Sequence, residues 1–331
     1  MGMIVSVACW LTFVTAGSGA NPPVEKMLDG LRQNKYYDVA ITYLEKLRED
    51  PNCPAGLKDT IDYEIGVTLL DAAEATETVS QRETTLDQAT KAIQKFLTER
   101  PAHEKAGPAS MQIGRVLLHR GAGRVLQAEQ PGVSAEEKKA KLAEARAFFD
   151  QAQTALETAE NRCYAKAKEF DELRKTDASA RAEEKFLAAG TELLQARLFL
   201  VNIADQRARS YEQGSKEYKE QLAAAAKRYN ELFEKNERLV GGLQARNLEG
   251  RAYRDLDQDQ KAVDIFLEIL ADPVDSPDVR NLKRQASLWL IETYLKPKLK
   301  KYDEAIALAA EWKDKASPGE LSSGEGLKIQ L

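Results

Sequence analysis

Helical periodicity that runs through almost the whole chain is the feature that most limits its possible folds. From Val24 to about Ala316, apolar residues recur every three or four positions, and no stretch alternates apolar and polar residues as a half-buried strand would. Turn-forming residues are scarce, since the chain of 331 residues has only 19 glycines and 11 prolines. We therefore expect an all-α fold.

Short breaks divide this helical sequence into segments. Each break is only a few residues long, so we expect neighbouring helices to pack antiparallel. One break supplies a capping box, in which the Ser134 side chain accepts from the amide of Glu137 and the Glu137 side chain accepts from the amide of Ser134. The breaks lie at residues 50–54, 100–101, 130–132, 175–177, 272–273 and 276–277.

An internal repeat is clearest between Gly250 and Pro273. Gly250 is followed by Tyr253 and then, 12 and 16 residues after the glycine, by Ala262 and Phe266. Small residues let two antiparallel helices cross closely, and the rings fill the space on either side. This spacing of small and aromatic residues resembles the tetratricopeptide repeat family almost position for position. The resemblance implies a right-handed α-solenoid built from antiparallel helix pairs.

Other stretches match the same pattern less fully. Gly66 opens a pair whose second helix carries Ala89, 23 residues later instead of 12. Gly114 opens another pair, and Ala305 lies in a stretch that resembles the family's turn into a second helix. The resemblance covers most of the chain as about six helix pairs of unequal length. The partner helix of Gly114 is expected far downstream, at Ala145, Phe149 and Ala152.

Two successive segments near the middle of the chain carry a seven-residue apolar pattern. The first covers residues 142–163 and resumes at Phe170 and Leu173 after an interruption at Lys166, and the second covers residues 186–203. A short polar turn near Asp177 separates them and favours an intramolecular antiparallel hairpin. The alternative is an intermolecular coiled coil. We expect a long central helical hairpin that projects from the solenoid or runs through it.

The first twenty residues are set apart by the lack of any charged side chain. The apolar run from Met3 to Val14 is shorter than the ~20 residues of a transmembrane helix and has the length of a secretory signal. Ser18-Gly19-Ala20 fits a small-x-small cleavage site. We expect a cleaved signal peptide at 1–20 and export to the periplasm or cell envelope. An uncleaved anchor and a lipid anchor at Cys9 stay open as alternatives.

The composition excludes several classes of protein. Lysine and arginine total 48 against 53 aspartates and glutamates, so the net charge of −5 does not suit a basic nucleic-acid binder. Three cysteines are too few for a disulfide scaffold, and Cys163 falls at an apolar helix position that predicts a small buried side chain. We expect no nucleic-acid partner and no transmembrane helix in the mature chain.

The sequence lacks the residue patterns that catalysis or metal binding would need. It has two histidines, His103 and His119, and neither has the spacing of a zinc site. The G-x-G at 121–123 lacks the preceding strand of a phosphate-binding loop. The three aspartates in 255–259 resemble the start of a calcium loop, but Phe266 stands where a glutamate is needed. We expect no enzymatic activity, no cofactor and no metal.

Ligand contacts in the tetratricopeptide family come mainly from the first helix of each pair, and the resemblance implies the same surface here. Arg115 and Arg251 each follow a glycine at equivalent positions. Both side chains are expected to point into the groove, where a guanidinium can hold a peptide carboxylate by two hydrogen bonds. The alternative is an ordinary salt bridge to another helix or on the surface. The expected contact residues are Arg115, His119, Gln244, Asn247, Arg251, Arg254 and Asp255.

These features divide the chain into five segments. The tail ends on apolar residues where a further first helix could begin, so we expect a fragment of a longer repeat protein or another element covering this end. The expected segments are a signal peptide at 1–20, N-terminal helix pairs at 21–131, the hairpin with an irregular helix pair at 132–237, C-terminal helix pairs at 238–316 and the tail at 317–331.

The expected function is a non-catalytic scaffold of the cell envelope that binds a peptide or partner protein on the inner face of the solenoid. This expectation rests on resemblance of fold. The alternative is a structural or self-assembling envelope component that acts through the hairpin or the uncapped end, and it includes oligomers of this chain.

Overall fold

The computed structural model describes residues 22–76, 78–177, 179–316, 321 and 329. Within these residues the fold is all-helical, with thirteen helices and no strand. The predicted signal peptide, Cys9 and most of the predicted tail lie outside the described residues. The helices are α1 (Pro22–Gln33), α2 (Tyr37–Glu49), α3 (Ala55–Lys58), α4 (Ile61–Ala75), α5 (Val79–Glu99), α6 (Ala106–Ala128), α7 (Ala135–Thr176), α8 (Ala180–Ala208), α9 (Lys216–Lys235), α10 (Val240–Asp255), α11 (Asp259–Ala271), α12 (Pro277–Tyr294) and α13 (Tyr302–Lys315).

The helices form two compact units, and the boundary between the units follows Gln206, close to the end of α8. In the first unit, α1 packs on α2, α4 on α5, and α6 on α7. In the second unit, α10 packs on α9 and α11, and α12 packs on α11 and α13. Contacts between α4 and α6, and between α10 and α12, join the first helix of one pair to the first helix of the next. Neighbouring helices therefore pack in pairs, as the short breaks predict.

Helices α6 and α7 lie antiparallel along most of α6. Arg124 Nε donates to Glu144 Oε2 at 2.8 Å near the start of α7, and Arg162 Nη1 donates to Ser110 Oγ at 2.7 Å two-thirds along it. The helix that the sequence predicts as the partner of the Gly114 helix is therefore the one that packs on it. Their shared core contains Met111, Leu118, Val125, Ala145, Phe149, Ala152, Leu156, Ala159 and Cys163.

Helix α8 runs antiparallel to α7 and adds Ala196 and Ile203 to the same core. Arg197 Nε donates to Glu160 Oε1 at 2.9 Å, and Lys166 Nζ lies 2.9 Å from Glu192 Oε2. Residue numbers rise along α7 while those of their partners fall along α8, so the two helices form an antiparallel hairpin. Lys166 interrupts the apolar pattern of α7 because it pairs with the partly buried carboxylate of Glu192 on α8.

Helix α7 begins at the predicted capping box. Ser134 Oγ accepts a hydrogen bond from Glu137 N at 3.2 Å, and Glu137 Oε2 accepts one from Ser134 N at 3.1 Å. A cap of this kind stabilises a helix by ~1 kcal/mol. The prediction is confirmed here because capping depends only on residues three positions apart.

One turn geometry recurs between the first and second helices of three pairs. It joins α1 to α2, α10 to α11 and α12 to α13, and each copy uses a residue other than glycine in the left-handed region. These residues are Lys35, Asp257 and Lys300, with φ of 61°, 59° and 50°. The residues that follow are Tyr36, Gln258 and Lys301, with φ/ψ of −86°/57°, −90°/58° and −84°/63°.

The predicted small residues lie where helices cross closely. A Cβ added at Gly66 would lie 2.4 Å from Ile93 Cγ1, and one added at Gly250 would lie 2.7 Å from Phe266 Cε1. At Gly114 the nearest atom would be Leu156 Cγ, at 2.3 Å. Among the other predicted repeat residues, Tyr253 is partly exposed and the buried ones are Ala89, Ala262, Phe266 and Ala305.

The described cysteines, Cys53 and Cys163, are free and buried. Cys163 Sγ lies in the core between α6 and α7, only 2.9 Å from where a Cβ would stand at Gly107. Burial raises the pKa of the Cys163 thiol to about 12. The prediction of a small buried side chain at this position is confirmed.

Two glycines in α6 predict opposite effects of the same substitution. A Cβ at Gly121 would lie 2.4 Å from Phe149 Cε1, whose fully buried ring has little room to move, whereas a Cβ at Gly123 would meet no atom within 4 Å. Overpacking costs about 1–3 kcal/mol, and alanine gains ~1 kcal/mol over glycine inside a helix. We expect Gly121→Ala to lower the free energy of unfolding and Gly123→Ala to raise it. Urea denaturation followed by far-UV circular dichroism measures both, and shifts of the same sign would contradict this packing.

Candidate binding surface on the first helices of the pairs

Arg115 of α6 lies against two carboxylates of α4. Its Nη2 contacts Glu74 Oε1 and lies 3.4 Å from Asp71 Oδ1. His119 follows one turn later, with Nε2 at 2.7 Å from the same oxygen of Glu74. The two carboxylate side chains are only 7% and 4% exposed. Arg115 therefore forms the interhelix salt bridge that the sequence left open as an alternative, and a peptide carboxylate would have to compete with both partners.

One guanidinium does not compensate both carboxylates equally. Burial raises the pKa of Glu74, but Arg115 and His119 outweigh burial and hold the pKa at about 2. At Asp71 burial dominates over Arg115 and Arg32 and raises the pKa to about 6. Glu74 therefore contributes stability above pH 4.5, its ordinary pKa, that is lost towards pH 2. Asp71 contributes stability below pH 3.8 that is lost as the pH rises through 6.

A second buried cluster joins α1, α4 and the start of α6. Arg32 Nη2 lies 2.8 Å from Glu64 Oε2, and Lys105 Nζ lies 3.0 Å from Glu64 Oε1. Arg32 Nε also donates to Thr68 Oγ1 at 3.0 Å. Burial raises the pKa of Glu64, but Lys105 and Arg32 together hold it at about 2. The cluster therefore joins the first helices of three pairs, and the charges of its members compensate one another.

Further carboxylates border these two clusters with less compensation. Burial is the main cause that raises the pKa of Glu25, Asp29 and Glu192. Like charges add to this rise, since Glu64 lies near both Glu25 and Asp29. We call the whole group the first-unit charged surface, in which six carboxylates accompany four cations. It consists of Glu25, Asp29, Glu64, Asp71, Glu74 and Glu192 with Arg32, Lys105, Arg115 and Lys166.

In the second unit, side chains of α10 contact side chains of α12 at a constant separation in residue number. The partner lies 38 residues later in each case, which makes α10 and α12 equivalent first helices of successive pairs. The pairs are Asn247 with Gln285 at 3.0 Å, the Arg251 guanidinium with the Trp289 ring at 5.4 Å, and Arg254 with Glu292.

Three predicted contact residues of the second unit are buried, contrary to a position that lines an open groove. Gln244, Asn247 and Arg251 are 6%, 0% and 3% exposed. Helices α9, α11 and α12 all pack on α10, and α12 covers two of these residues through Gln285 against Asn247 and Trp289 against Arg251. Arg254 and Asp255 stay partly exposed and pair with each other at 3.0 Å. A ligand on the surface of the second unit can reach only these last two of the five.

Sequence reasoning missed the partners of the charged residues. In the second unit the constant 38-residue offset between complementary residues was a usable signal. In the first unit a constant offset of 41 residues likewise joins carboxylates of α4 to cations at the start of α6 and within it, in the pairs Glu64–Lys105 and Glu74–Arg115, whereas the α1–α4 pair Arg32–Glu64 is 32 residues apart. The missed residues are Arg32, Glu64, Asp71, Glu74, Lys105, Gln285, Trp289 and Glu292.

The described residues contain no group of three or more His, Cys, Asp or Glu side chains that could hold a metal ion. By length and composition, α8 is the one helix among them apolar enough to cross a membrane, but buried core helices pass the same test. Within α8, Glu192 and Arg197 are engaged with charged residues of α7, as befits a helix packed on a neighbour.

Comparison with models of known protein families gives no match for this chain, and comparison with curated proteins gives none either.

Proposed function

We propose that this chain is a tetratricopeptide-like, right-handed α-solenoid that serves as a non-catalytic scaffold in the periplasm or cell envelope. It binds a peptide or protein partner on the first helices of its pairs. The observation that carries this proposal is the first-unit charged surface, where α1, α4 and the N-terminal half of α6 hold charged side chains side by side, bordered by Lys166 of α7 and Glu192 of α8. The recurrent turn after Lys35, Asp257 and Lys300 supports the likeness to a helix-pair repeat.

The charge of this surface favours a basic segment as the bound part of the partner. Carboxylates outnumber cations in it, and the pKa values of Glu25, Asp29 and Asp71 are raised by burial first and by neighbouring carboxylates second. A lysine or arginine of a partner would compensate these carboxylates, because an opposite charge within about 4–6 Å favours the ionised carboxylate. Asp29 is exposed and gives such a residue access.

Site-specific photocrosslinking in intact cells tests this proposal. A photoreactive residue at Asp29 is expected to crosslink to a partner protein, whereas one at the exposed Lys168 of α7 is not. Reversing one charge with Glu25→Lys should weaken partner binding by about tenfold, or ~1.4 kcal/mol, and flatten its salt dependence. The matched control Glu169→Lys, on the exposed side of α7, should leave binding unchanged. Equal crosslinking from both positions, or equal effects of both reversals, would refute the surface assignment.

Export is tested separately by N-terminal sequencing of the protein from fractionated cells. We expect the mature chain to begin at Asn21, directly after the predicted cleavage site. A full-length chain confined to the cytosol would exclude export and leave the partner-binding surface to be judged by crosslinking alone.

A structural or self-assembling role is the second candidate, and one observation favours it. Helix α13 exposes two large apolar side chains one turn apart, Tyr302 at 51% and Ile306 at 68%. Such residues are typical of a surface that another helix covers. Concentration-dependent oligomers that Ile306→Lys dissolves would support this candidate.

A further inference from the structure

Helices α5 and α6 enclose a cavity that the proposed scaffold function does not use. Its volume is about 260 Å³. For comparison, an engineered apolar cavity of ~150 Å³ holds benzene. Its lining includes the exposed residues Val79 and Gln130, so the cavity can be reached from solvent. The lining residues are Val79, Arg82, Glu83, Leu86, His119, Gly123, Leu126, Gln127 and Gln130.

The body of the cavity suits an apolar group. Leu86, which is 1% exposed, and the partly buried Leu126 supply apolar wall, and Val79 adds to it. The space beside Gly123 is open, because a Cβ there would meet no atom within 4 Å. An apolar ligand group gains about 25 cal/mol for each Å² that it removes from water, which favours filling such a space.

The polar part of the lining has one cation without a carboxylate partner. Arg82 donates from Nε and Nη2 to Thr76 O at 3.1 and 2.5 Å, and it forms no ion pair within the part of the chain that the structure describes. The carboxylate next to it, Glu83, is already engaged by Arg120 and Arg124, with N–O distances of 3.5 and 3.2 Å. The guanidinium of Arg82 therefore places a positive charge at the wall of the cavity, and a negatively charged ligand group can compensate that charge.

The same surroundings limit how much negative charge a ligand can bring. Glu83 lines the cavity, and Glu74 lies behind His119, so a dianion would meet repulsion from both. A single carboxylate matches the planar guanidinium of Arg82, which can offer parallel N–H donors to two oxygens. The side-chain amides of Gln127 and Gln130 add neutral donors.

We propose that the cavity between α5 and α6 binds a monocarboxylate with an apolar body of about the size of a phenyl ring, whose carboxylate pairs with Arg82. The same chemistry occurs in a free arylalkanoic acid and in a peptide that ends in an apolar residue. This proposal does not rest on the proposed function of the first-unit charged surface, so either proposal can fail without the other.

Calorimetric titration of the full-length chain with 3-phenylpropanoate tests the site, with 3-phenylpropanamide as the uncharged counterpart. We expect the acid to bind about tenfold more tightly than the amide, a difference of ~1.4 kcal/mol. Arg82→Gln should remove this preference, and Arg82→Lys should retain part of it as a point charge. The peptides Gly-Gly-Phe with a free and an amidated C-terminus then distinguish the two sources. Binding of Gly-Gly-Phe tighter than of 3-phenylpropanoate assigns the site to chain ends, and the reverse assigns it to free acids.

A steric variant checks that binding occurs in this cavity. Gly123→Leu places its side chain in the open space and should abolish binding of 3-phenylpropanoate, while Gly123→Ala should retain it. Both variants replace glycine inside a helix, so the fold is expected to persist, and far-UV circular dichroism verifies this. Equal affinity for acid and amide, no measurable binding of either, or unchanged binding to a folded Gly123→Leu variant would overturn the proposal.

Discussion

Replacing Trp289 with alanine is expected to lower the free energy of unfolding of the second unit by about 3–5 kcal/mol. Trp289 is one of the largest fully buried side chains, at 1% exposure, and its ring centroid lies 6.0 Å from that of Phe266. The guanidinium groups of Arg251 and Arg254 lie 5.4 and 5.9 Å from its centroid. The substitution therefore removes a packed ring, leaves a cavity and eliminates the cation–π contacts of Arg251 and Arg254 with that ring.

The measurement is urea denaturation followed by far-UV circular dichroism, together with hydrogen exchange of α10 and α12. Trp312→Ala is the matched control, because the ring of Trp312 on α13 is only partly buried, and it should cost less than half as much. Trp289→Phe should recover part of the loss, since it retains an aromatic ring. An equal cost for both tryptophans would contradict a central role of Trp289 in joining α10 to α12.

Replacing Arg115 with methionine is expected to destabilise the first unit by about 3–5 kcal/mol at pH 7, because it leaves Glu74 and Asp71 buried and negative. The loss should shrink towards pH 4. Without Arg115 the pKa of Glu74 rises from about 2, and that of Asp71 rises further from about 6, so both groups are protonated in the folded variant at higher pH. Protonation removes the uncompensated charge and with it most of the cost.

Hydrogen exchange of α4 and α6 at pH 4 and pH 7 locates this effect in the first unit. The control Arg181→Met, at an exposed position of α8, should change stability by less than about 0.5 kcal/mol. Adding Glu74→Gln to Arg115→Met should recover part of the loss, because the pair is coupled directly. A loss of equal size at both pH values would mean that packing of the Arg115 stem, and not its charge, stabilises the contact.

The parts of the fold that depend on nearby residues were predictable from the sequence. The capping box at Ser134 needs only residues three positions apart. The helices themselves need only the local apolar pattern. The packing of Gly114 against α7 was also predictable, because small residues and large apolar residues recur at matching intervals on both helices. These features share one physical cause, which is that shape and hydrophobicity repeat along the chain with the period of the helix.

The charged surface could not be predicted in the same way. Arg115 and Glu74 are 41 residues apart, and nothing local to either residue names its partner among the many exposed charges. Asn247 and Arg251 were expected on an accessible face because the resemblance to the tetratricopeptide family implies ligand contacts on the first helix of each pair. Both are buried because α12 supplies partners for them, a hydrogen-bonding amide at Gln285 and an aromatic face at Trp289. Burial of a polar residue depends on what covers it, and helix periodicity does not report that.

The buried thiol of Cys163 can serve as a chemical probe of local opening between α6 and α7. A thiolate attacks electrophilic reagents, and a group whose pKa is about 12 supplies almost none at neutral pH while α6 covers it. Modification by a maleimide or a disulfide reagent must therefore wait until α6 and α7 part. The rate of labelling therefore reports how often α6 and α7 separate around Cys163.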